Sequence, residues 1–553
     1  MANSGDPPQP AAARTATAST AAAAEVAAAA ATAAAATVDA GTAAGSAVGT
    51  SVGTSVDTVA DGSAGTTASG GETVGGKVGR GALWSLLNTV VLRLGTVVSG
   101  IVLARLLSPA DYGVFAVALV AMTLLQAFNE LGVSLAVIRW QRDVREFAPT
   151  VMTISIGTSG LLYVGTYLLA PAFCGAMGSP DAVAVLRVLC LAVVLDGIAT
   201  VPAAILNREF LQRRRFVSDL AAFVVGTTIT IVLAATGAGA MSFAIGRLAG
   251  NLASVACYLS LTPVKVWPGW DRRLARELLG FGLPLAGSSL LVLSITNVDQ
   301  IVVGVISDDA TLGFYLVAFN VSSWPMTVFS EAARRVSLAG FSQLVDDPPR
   351  LQAALTRGLG LLMAMAVPAA VMLGAYAEPL LVIVYGDKWA PAAVALQLLA
   401  AVGLLRVLVF VCYDLLVTFG GSSKLLGIHA TWLVVLLPAL IVGTRMDGIR
   451  GAALAHVVVG VVLVVPMFLY MMRGHGLRLG PTLAACTRPA IGGALILASS
   501  FVVFATVDGA LARLLVGSLV AGLVYAPVVL PMRSLLPGRG QDQQGHGRHH
   551  LKS

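Results

Sequence analysis

A chain of 553 residues that is 57% hydrophobic and only 11% charged, with a mean hydropathy of +0.85, falls outside the class of ordinary soluble domains, which carry roughly 25% charged residues. The formal net charge of +7 does not mark a nucleic-acid binder either, because the basic residues are scattered through short loops between apolar runs, where they act as topology signals. What remains is an all-α integral membrane protein, since helices satisfy their own backbone hydrogen bonds in apolar runs of this length.

Residues 1–78 are almost entirely Ala, Thr, Gly, Ser and Val. With hardly a large apolar side chain to bury, the segment does not recover the entropy of ordering and reads as a disordered cytoplasmic tail. It lacks the basic start and Leu-rich core of a signal peptide, so it is expected to be retained. At about 20 apolar residues per span, the remainder reads as about fourteen transmembrane helices. Six lie near 83–106, 112–138, 150–170, 182–205, 217–236 and 238–261. Residues 263–277 follow as an interfacial amphipathic linker, in which Trp267, Trp270 and neighbouring basic residues suit a short helix on the membrane surface. Six more spans lie near 278–306, 312–330, 355–373, 390–419, 425–444 and 449–472, and a last pair near 489–507 and 511–532. The organisation is therefore two six-helix lobes, 79–262 and 278–472, then a helix pair within 473–532 and a tail over 533–553. The pair reads equally as a lipid groove or as a packing addition.

Loop charges test this order, because one missed helix would invert every later loop. Arg139, Arg142 and Arg145 fall in the second loop, Arg208, Arg213, Arg214 and Arg215 in the fourth, and Lys265, Arg272, Arg273 and Arg276 in the sixth. The eighth, tenth and twelfth continue with Arg334, Arg335, Lys424, Arg473 and Arg478. Odd-numbered loops are acidic or neutral except for Lys388, Arg445 and Arg450, which makes the eleventh loop the weakest point. By the positive-inside rule both termini are cytoplasmic.

One stretch occurs twice. IVLARLLSPADYGVFAVALVA at 101–121 aligns without a gap on IVVGVISDDATLGFYLVAFNV at 301–321, matching at Ile101 and Ile301, Gly113 and Gly313, and Val117 and Val317 among others. Each copy is an apolar run, a short hairpin carrying Asp, then a Gly and an aromatic (Phe115, Tyr315) opening the next run. Six helices per half is an even number, so the halves enter the membrane in the same orientation, as parallel repeats about an axis along its normal. Transporters of this kind place their site between the repeats.

Three stretches, ALWSLLNTVVLRLGTVVSGIVLARLLSPADYGVFAVA, ITNVDQIVVGVISDDATLGFYLVAFNVSSWP and LVIVYGDKWAPAAVALQLLA, resemble the polysaccharide transport family, the Wzx-type flippases of the multidrug, oligosaccharidyl-lipid and polysaccharide exporter superfamily. The central one looks most like the colanic acid exporter branch. The likeness covers residues 80 to 530. It implies two lobes around a V-shaped cavity and movement of undecaprenyl-pyrophosphate-linked oligosaccharide across the bacterial cytoplasmic membrane. A polysaccharide polymerase and glycosyltransferases would be its working partners, alongside the membrane lipids, and nucleic acid would not be one.

Charges inside apolar spans cost about 2.5 to 3.5 kcal/mol on insertion scales, so those retained usually face a cavity or a partner. Arg93, Arg187, Arg247 and Arg406 suit a diphosphate, because a guanidinium fork binds two oxygens at once and stays charged. Asn297 and Asn320 join them as candidate substrate-binding residues. The bland reading is snorkelling to the interface, with Arg93 and Arg187 the first suspects. Glu130, Asp196, Asp299 and Asp414 are candidates for coupling to a proton or sodium gradient, against a structural pairing with a nearby group, which is favoured for Asp299. His429 and His456 read as hydrogen-bonded packing rather than proton switches. Pro284, Pro325 and Pro368 mark bends, and Gly95 and Gly100 close helix contacts.

No Walker loop, HExxH, GxSxG or metal-ligand cluster occurs, and no cofactor is expected. The five cysteines have no CxxC spacing and read as packing residues. A drug or cation antiporter of the same superfamily and a peptidoglycan-precursor flippase are the alternatives among transporters. A membrane glycosyl polymerase or ligase, the alternative from another class, would carry a large extracytoplasmic loop, and the odd loops here are short.

Overall fold

The computed structural model describes residues 74–129, 144–209, 211–342, 344, 347–419 and 422–535. Their regular elements are all helical. By contacts they gather into two compact units that divide between Leu316 and Val317. The first holds α1 (Val74–Leu106), α2 (Pro109–Asn129), α3 (Val144–Ala176), α4 (Ala182–Arg208), α5 (Gln212–Ala235), α6 (Met241–Leu261), α7 (Arg272–Ile306) and the start of α8 (Asp309–Ser342). The second holds the rest of α8 with α9 (Pro348–Ala375), α10 (Ala377–Tyr385), α11 (Ala393–Thr418), α12 (Ser422–Val459), α13 (Val465–Gly474), α14 (Leu479–Thr506) and α15 (Ala510–Val529). Ten stretches of described helix are long and apolar enough to cross a membrane, and the chain is a multi-pass membrane protein.

The duplicated turns start α2 and α8 in related ways. Ser108 donates from both its backbone N–H and its hydroxyl to Asp111 Oδ2, at 2.9 and 2.6 Å, and the Asp111 N–H returns a bond of 3.2 Å to the hydroxyl. This reciprocal arrangement satisfies amide donors that a helix start leaves open. In the second copy the roles are exchanged: Thr311 donates its hydroxyl to Asp308. Above these caps the two helix starts touch. A Cβ at Gly113 would lie 1.7 Å from the Asp309 carbonyl oxygen, and one at Gly313 would lie 2.0 Å from that of Pro109. Each glycine thus receives the backbone of the other copy, four residues before that copy's own glycine, and the contact is its own mirror under the 200-residue offset.

The copies diverge one turn further in. Tyr315 donates its hydroxyl to Asp299 Oδ2 at 2.9 Å, tying α8 to α7 in a buried pair. The corresponding positions are Phe115 and Ser99. Phe115 stacks on Phe243 of α6 with ring centroids 4.2 Å apart, and the Ser99 hydroxyl bonds back to the Thr96 carbonyl at 3.0 Å.

Several expectations change. The first helix begins at Val74, ahead of the expected 83, so Lys77 and Arg80 lie within it. The linker over 263–277 is not a helix of its own: residues 263–271 form no helix, and α7 runs 35 residues from Arg272, capped by Asp271, whose carboxylate accepts from the Arg273 and Leu274 N–H groups. Gly95 does lie under a neighbour, Phe223, whereas a Cβ added at Gly100 would meet nothing within 4 Å; the Gly100 backbone instead accepts from the Tyr112 hydroxyl at 3.5 Å. The eleventh loop is real, and it divides α12 into two helical stretches. The backbone reverses at Asp447 and Gly448 (φ +52°), and a Cβ at Gly443 would lie 2.4 Å from the carbonyl oxygen of Gly451, a distance that a straight helix of eight residues, about 12 Å long, does not permit. α14 and α15 pack down on α9 and α10. Gly493 meets Val367, Gly517 meets Tyr376, and Tyr525 donates to the Ala364 carbonyl at 2.8 Å, which favours the packing role for this pair.

Gly113→Ala and Gly313→Ala are each expected to lower the midpoint of thermal unfolding in detergent, because backbone carbonyls cannot yield as a side chain does. Gly100→Ala should leave the midpoint unchanged. Equal midpoints for all three would remove the weight placed on the paired turns.

Candidate functional site

In the first unit, besides the Asp299–Tyr315 pair, two clusters of polar groups stand between apolar helices among the described residues. Asp196 of α4 accepts from Asn251 Nδ2 of α6 at 2.8 Å, and the same amide reaches the Ala192 carbonyl at 3.3 Å. Arg247 of α6 stands one turn from Asn251 and acts on the Asp196 charge, with Gln126 of α2 beside the carboxylate. A carboxylate among apolar helices persists only with partners of this kind. The helices approach closely around it because Gly197 lies against Ser159 of α3 and Gly226 and Gly250 bring α5 and α6 backbone to backbone.

The second cluster centres on Asp219 of α5, which is 1% exposed. It accepts from Asn88 Nδ2 of α1 at 3.0 Å and from the Tyr258 hydroxyl of α6 at 2.6 Å, and it pairs with Arg215 at 3.7 Å. Arg215 in turn donates to Asn207 of α4 at 2.6 Å. One carboxylate therefore joins three helices and, through Arg215, a fourth. Sequence reasoning counted Arg215 as a loop charge and passed over Asp219. The readable signal was the spacing, since Arg and Asp four apart share one helix face.

The arginines expected to bind substrate have different local surroundings. Arg93 is exposed on a face of α1 shared with Leu94 and Val98, 63% and 61% exposed. Arg187 lies in the second turn of α4, where its Nε donates to the Tyr167 carbonyl at 3.3 Å and its guanidinium covers the Tyr167 ring at 4.2 Å. It stands about 7 Å from its helix start. Arg247 belongs to the Asp196 cluster. In the second unit Arg406 of α11 lies over the buried Phe319 ring at 4.9 Å, the geometry of a cation–π contact.

Of the remaining candidates, Asn297 and Asp299 are buried on α7, and the Tyr315 bond supports the structural role for Asp299. Asn320 buries its side-chain oxygen without a hydrogen-bond partner among the described residues. Asp414, 2% exposed, lies two turns beyond Arg406 on α11. Glu130 lies outside the described residues. His429 bonds through Nδ1 to the Leu425 carbonyl at 2.8 Å and meets the Tyr413 ring edge-on, as packing predicts; His456 is buried.

Comparison with known proteins follows this geometry. A family model described as "Polysaccharide biosynthesis protein" matches residues 102–394, more than half of the chain. Lipopolysaccharide biosynthesis protein WzxC of Escherichia coli (strain K12) is 24% identical over 395 residues, 71% of this chain and 80% of WzxC. Succinoglycan biosynthesis transport protein ExoT of Rhizobium meliloti (strain 1021) is 28% identical over 333 residues, 58% of this chain and 65% of ExoT. Among solved structures, lipid II flippase MurJ in an inward closed conformation superposes with a TM-score of 0.63 at 17% identity, covering 82% of this chain and 100% of MurJ. An inward-facing multidrug resistance MATE transporter of the MOP superfamily gives 0.57 at 18% identity, covering 69% and 94%. At such identities these two speak for the fold.

Asp219→Ala takes the acceptor from Asn88 and Tyr258 and leaves the Arg215 guanidinium buried beside a void. The expected loss is about 3 kcal/mol, read as a lower unfolding midpoint in detergent. An unchanged midpoint would show that the cluster contributes nothing to holding α1, α5 and α6 together.

Proposed function

The chain belongs to the family of polysaccharide biosynthesis proteins, and on that premise we propose that it is a flippase for lipid-linked oligosaccharide, the repeat unit of a surface polysaccharide on an undecaprenyl pyrophosphate carrier. The observation that carries this reading is the family match itself, which runs across the paired turns, the Asp196 cluster and Asp299. The names of WzxC and ExoT support the same class of cargo, and the fold is one that lipid II flippase MurJ shares. It works by alternating access, with no covalent chemistry on the substrate, in the bacterial cytoplasmic membrane with both termini in the cytoplasm.

Within this reading Arg93, Arg187 and Arg406 are the groups assigned to the diphosphate, with Asn320 offering its buried amide oxygen to sugar hydroxyls. Arg247 serves instead to hold Asp196. The membrane potential already helps: an anion leaving a negative cytoplasm gains about 2.3 kcal/mol per charge per 100 mV. Coupling to a proton or sodium gradient through Asp196 or Asp414 would add to that drive. The several arginines within the apolar spans favour an anionic lipid over the cationic drugs of the antiporter alternative.

Deletion of the gene is expected to trap its lipid-linked saccharide on the cytoplasmic leaflet, where glycan analysis of membrane extracts identifies it, and the intact gene should clear it. Arg93→Ala, Arg187→Ala and Arg406→Ala are each expected to clear it more slowly. A deletion strain with no trapped intermediate would refute the assignment, and full clearance by all three variants would refute the roles of the arginines.

A further inference from the structure

The non-helical segment before α7 and the first two turns of that helix form a strap whose inner side is spent on the protein. The Gly269 N–H donates to the Pro149 carbonyl at 3.1 Å, Thr153 donates its hydroxyl to the Gly269 carbonyl at 2.7 Å, and the Asp271 N–H reaches Thr150 Oγ1 at 3.1 Å. Ala275 and Leu278 are buried with Phe147, Ala148 and Val151 of α3, and Val266 and Leu274 pack against the same core. The apolar face of this amphipathic helix start is therefore already covered, and it is not available to lie in a bilayer.

The outer side is different in chemistry. Trp267 and Trp270, on either side of the pinned Pro268–Gly269 pair, are 80% and 63% exposed. Arg272, Arg273 and Arg276 are exposed on the following turns and form no ion pair among the described residues. Two indoles beside three outward guanidinium groups match a phospholipid surface, where Trp settles at headgroup depth and Arg takes the phosphates. A soluble protein partner would leave two such rings unexplained in a chain whose spans place this loop at the membrane edge.

We propose that the strap at 263–279 is a binding site for anionic phospholipid headgroups, with Trp267 and Trp270 seated among the headgroups and Arg272, Arg273 and Arg276 on their phosphates. Because the strap is fixed to the start of α3 and carries the Asp271 cap of α7, an occupied site clamps the junction of those two helices. Leaflet composition would then set how readily α7 moves against α3. The leaflet is the cytoplasmic one under the orientation proposed above; the site itself does not depend on that orientation or on the cargo.

The test uses the full chain, delipidated in neutral detergent and titrated with phosphatidylglycerol or with phosphatidylcholine of the same chain length. Tryptophan emission is read against the Trp267→Phe/Trp270→Phe variant, so that the other indoles are subtracted. Phosphatidylglycerol is expected to shift the emission saturably, with an affinity that falls as salt rises and falls by about fivefold for each of the three arginines changed to Gln. Phosphatidylcholine should give a weak response insensitive to salt. Unfolding midpoints of the variants, expected to match the parent because the replaced groups are exposed, separate loss of binding from loss of fold. Equal responses to the two lipids, or phosphatidylglycerol binding that survives all three replacements, would overturn the proposal. So would saturation by a soluble acidic protein with no response to lipid.

Discussion

Two glycines 200 positions apart let the starts of α2 and α8 rest on each other's carbonyls, and the surrounding structure is arranged to keep that approach possible. A helix start exposes four unsatisfied amide donors, so bringing two of them together requires that each be capped from within its own turn. Ser108 and Asp111 do this in the first copy; the second copy carries Asp308 and Thr311 at the same positions, joined side chain to side chain with donor and acceptor exchanged. The glycines have no such latitude, because no side chain fits where the opposing backbone passes. What diverged lies deeper, where the Asp299–Tyr315 bond in one copy stands in place of the Phe115–Phe243 stack in the other.

The same economy governs the charged groups. In apolar surroundings a charge must be shared, stacked or placed at the edge, and all three solutions occur. Asp219 is shared among Asn88, Tyr258 and Arg215, Arg406 is stacked on Phe319, and Arg187 is held near a helix start by Tyr167. Such groups limit how far neighbouring helices slide before a partner is lost, which gives a transporter rigid blocks to move as bodies.

The all-helical, membrane-spanning class and the duplicated turn were legible in the sequence because apolar length and an ungapped repeat are local properties. The reversal at Asp447 and Gly448 was harder to read, because Arg445 and Arg450 break the charge alternation of the loops there. Partners across helices were not. Nothing in the apolar run of α5 shows that Asp219 meets Asn88 from 131 positions away, and nothing near Gly100 shows that its surroundings are open while Gly95 lies under Phe223. The linker misled for a physical reason: its amphipathic pattern is genuine, but its apolar face is covered by α3 rather than by lipid.

Fold, family and the distribution of charge converge on one act, the passage of an acidic, sugar-bearing lipid head from one leaflet to the other. The most direct measurement is to reconstitute the chain into vesicles loaded with an undecaprenyl-pyrophosphate oligosaccharide and follow how much of the glycan becomes accessible to a membrane-impermeant hydrolase. The account predicts that the accessible fraction rises from one leaflet's share toward completion, at a rate proportional to the protein present. A fraction fixed at one leaflet's share, as in protein-free vesicles, with the protein folded and a membrane potential imposed, would contradict it.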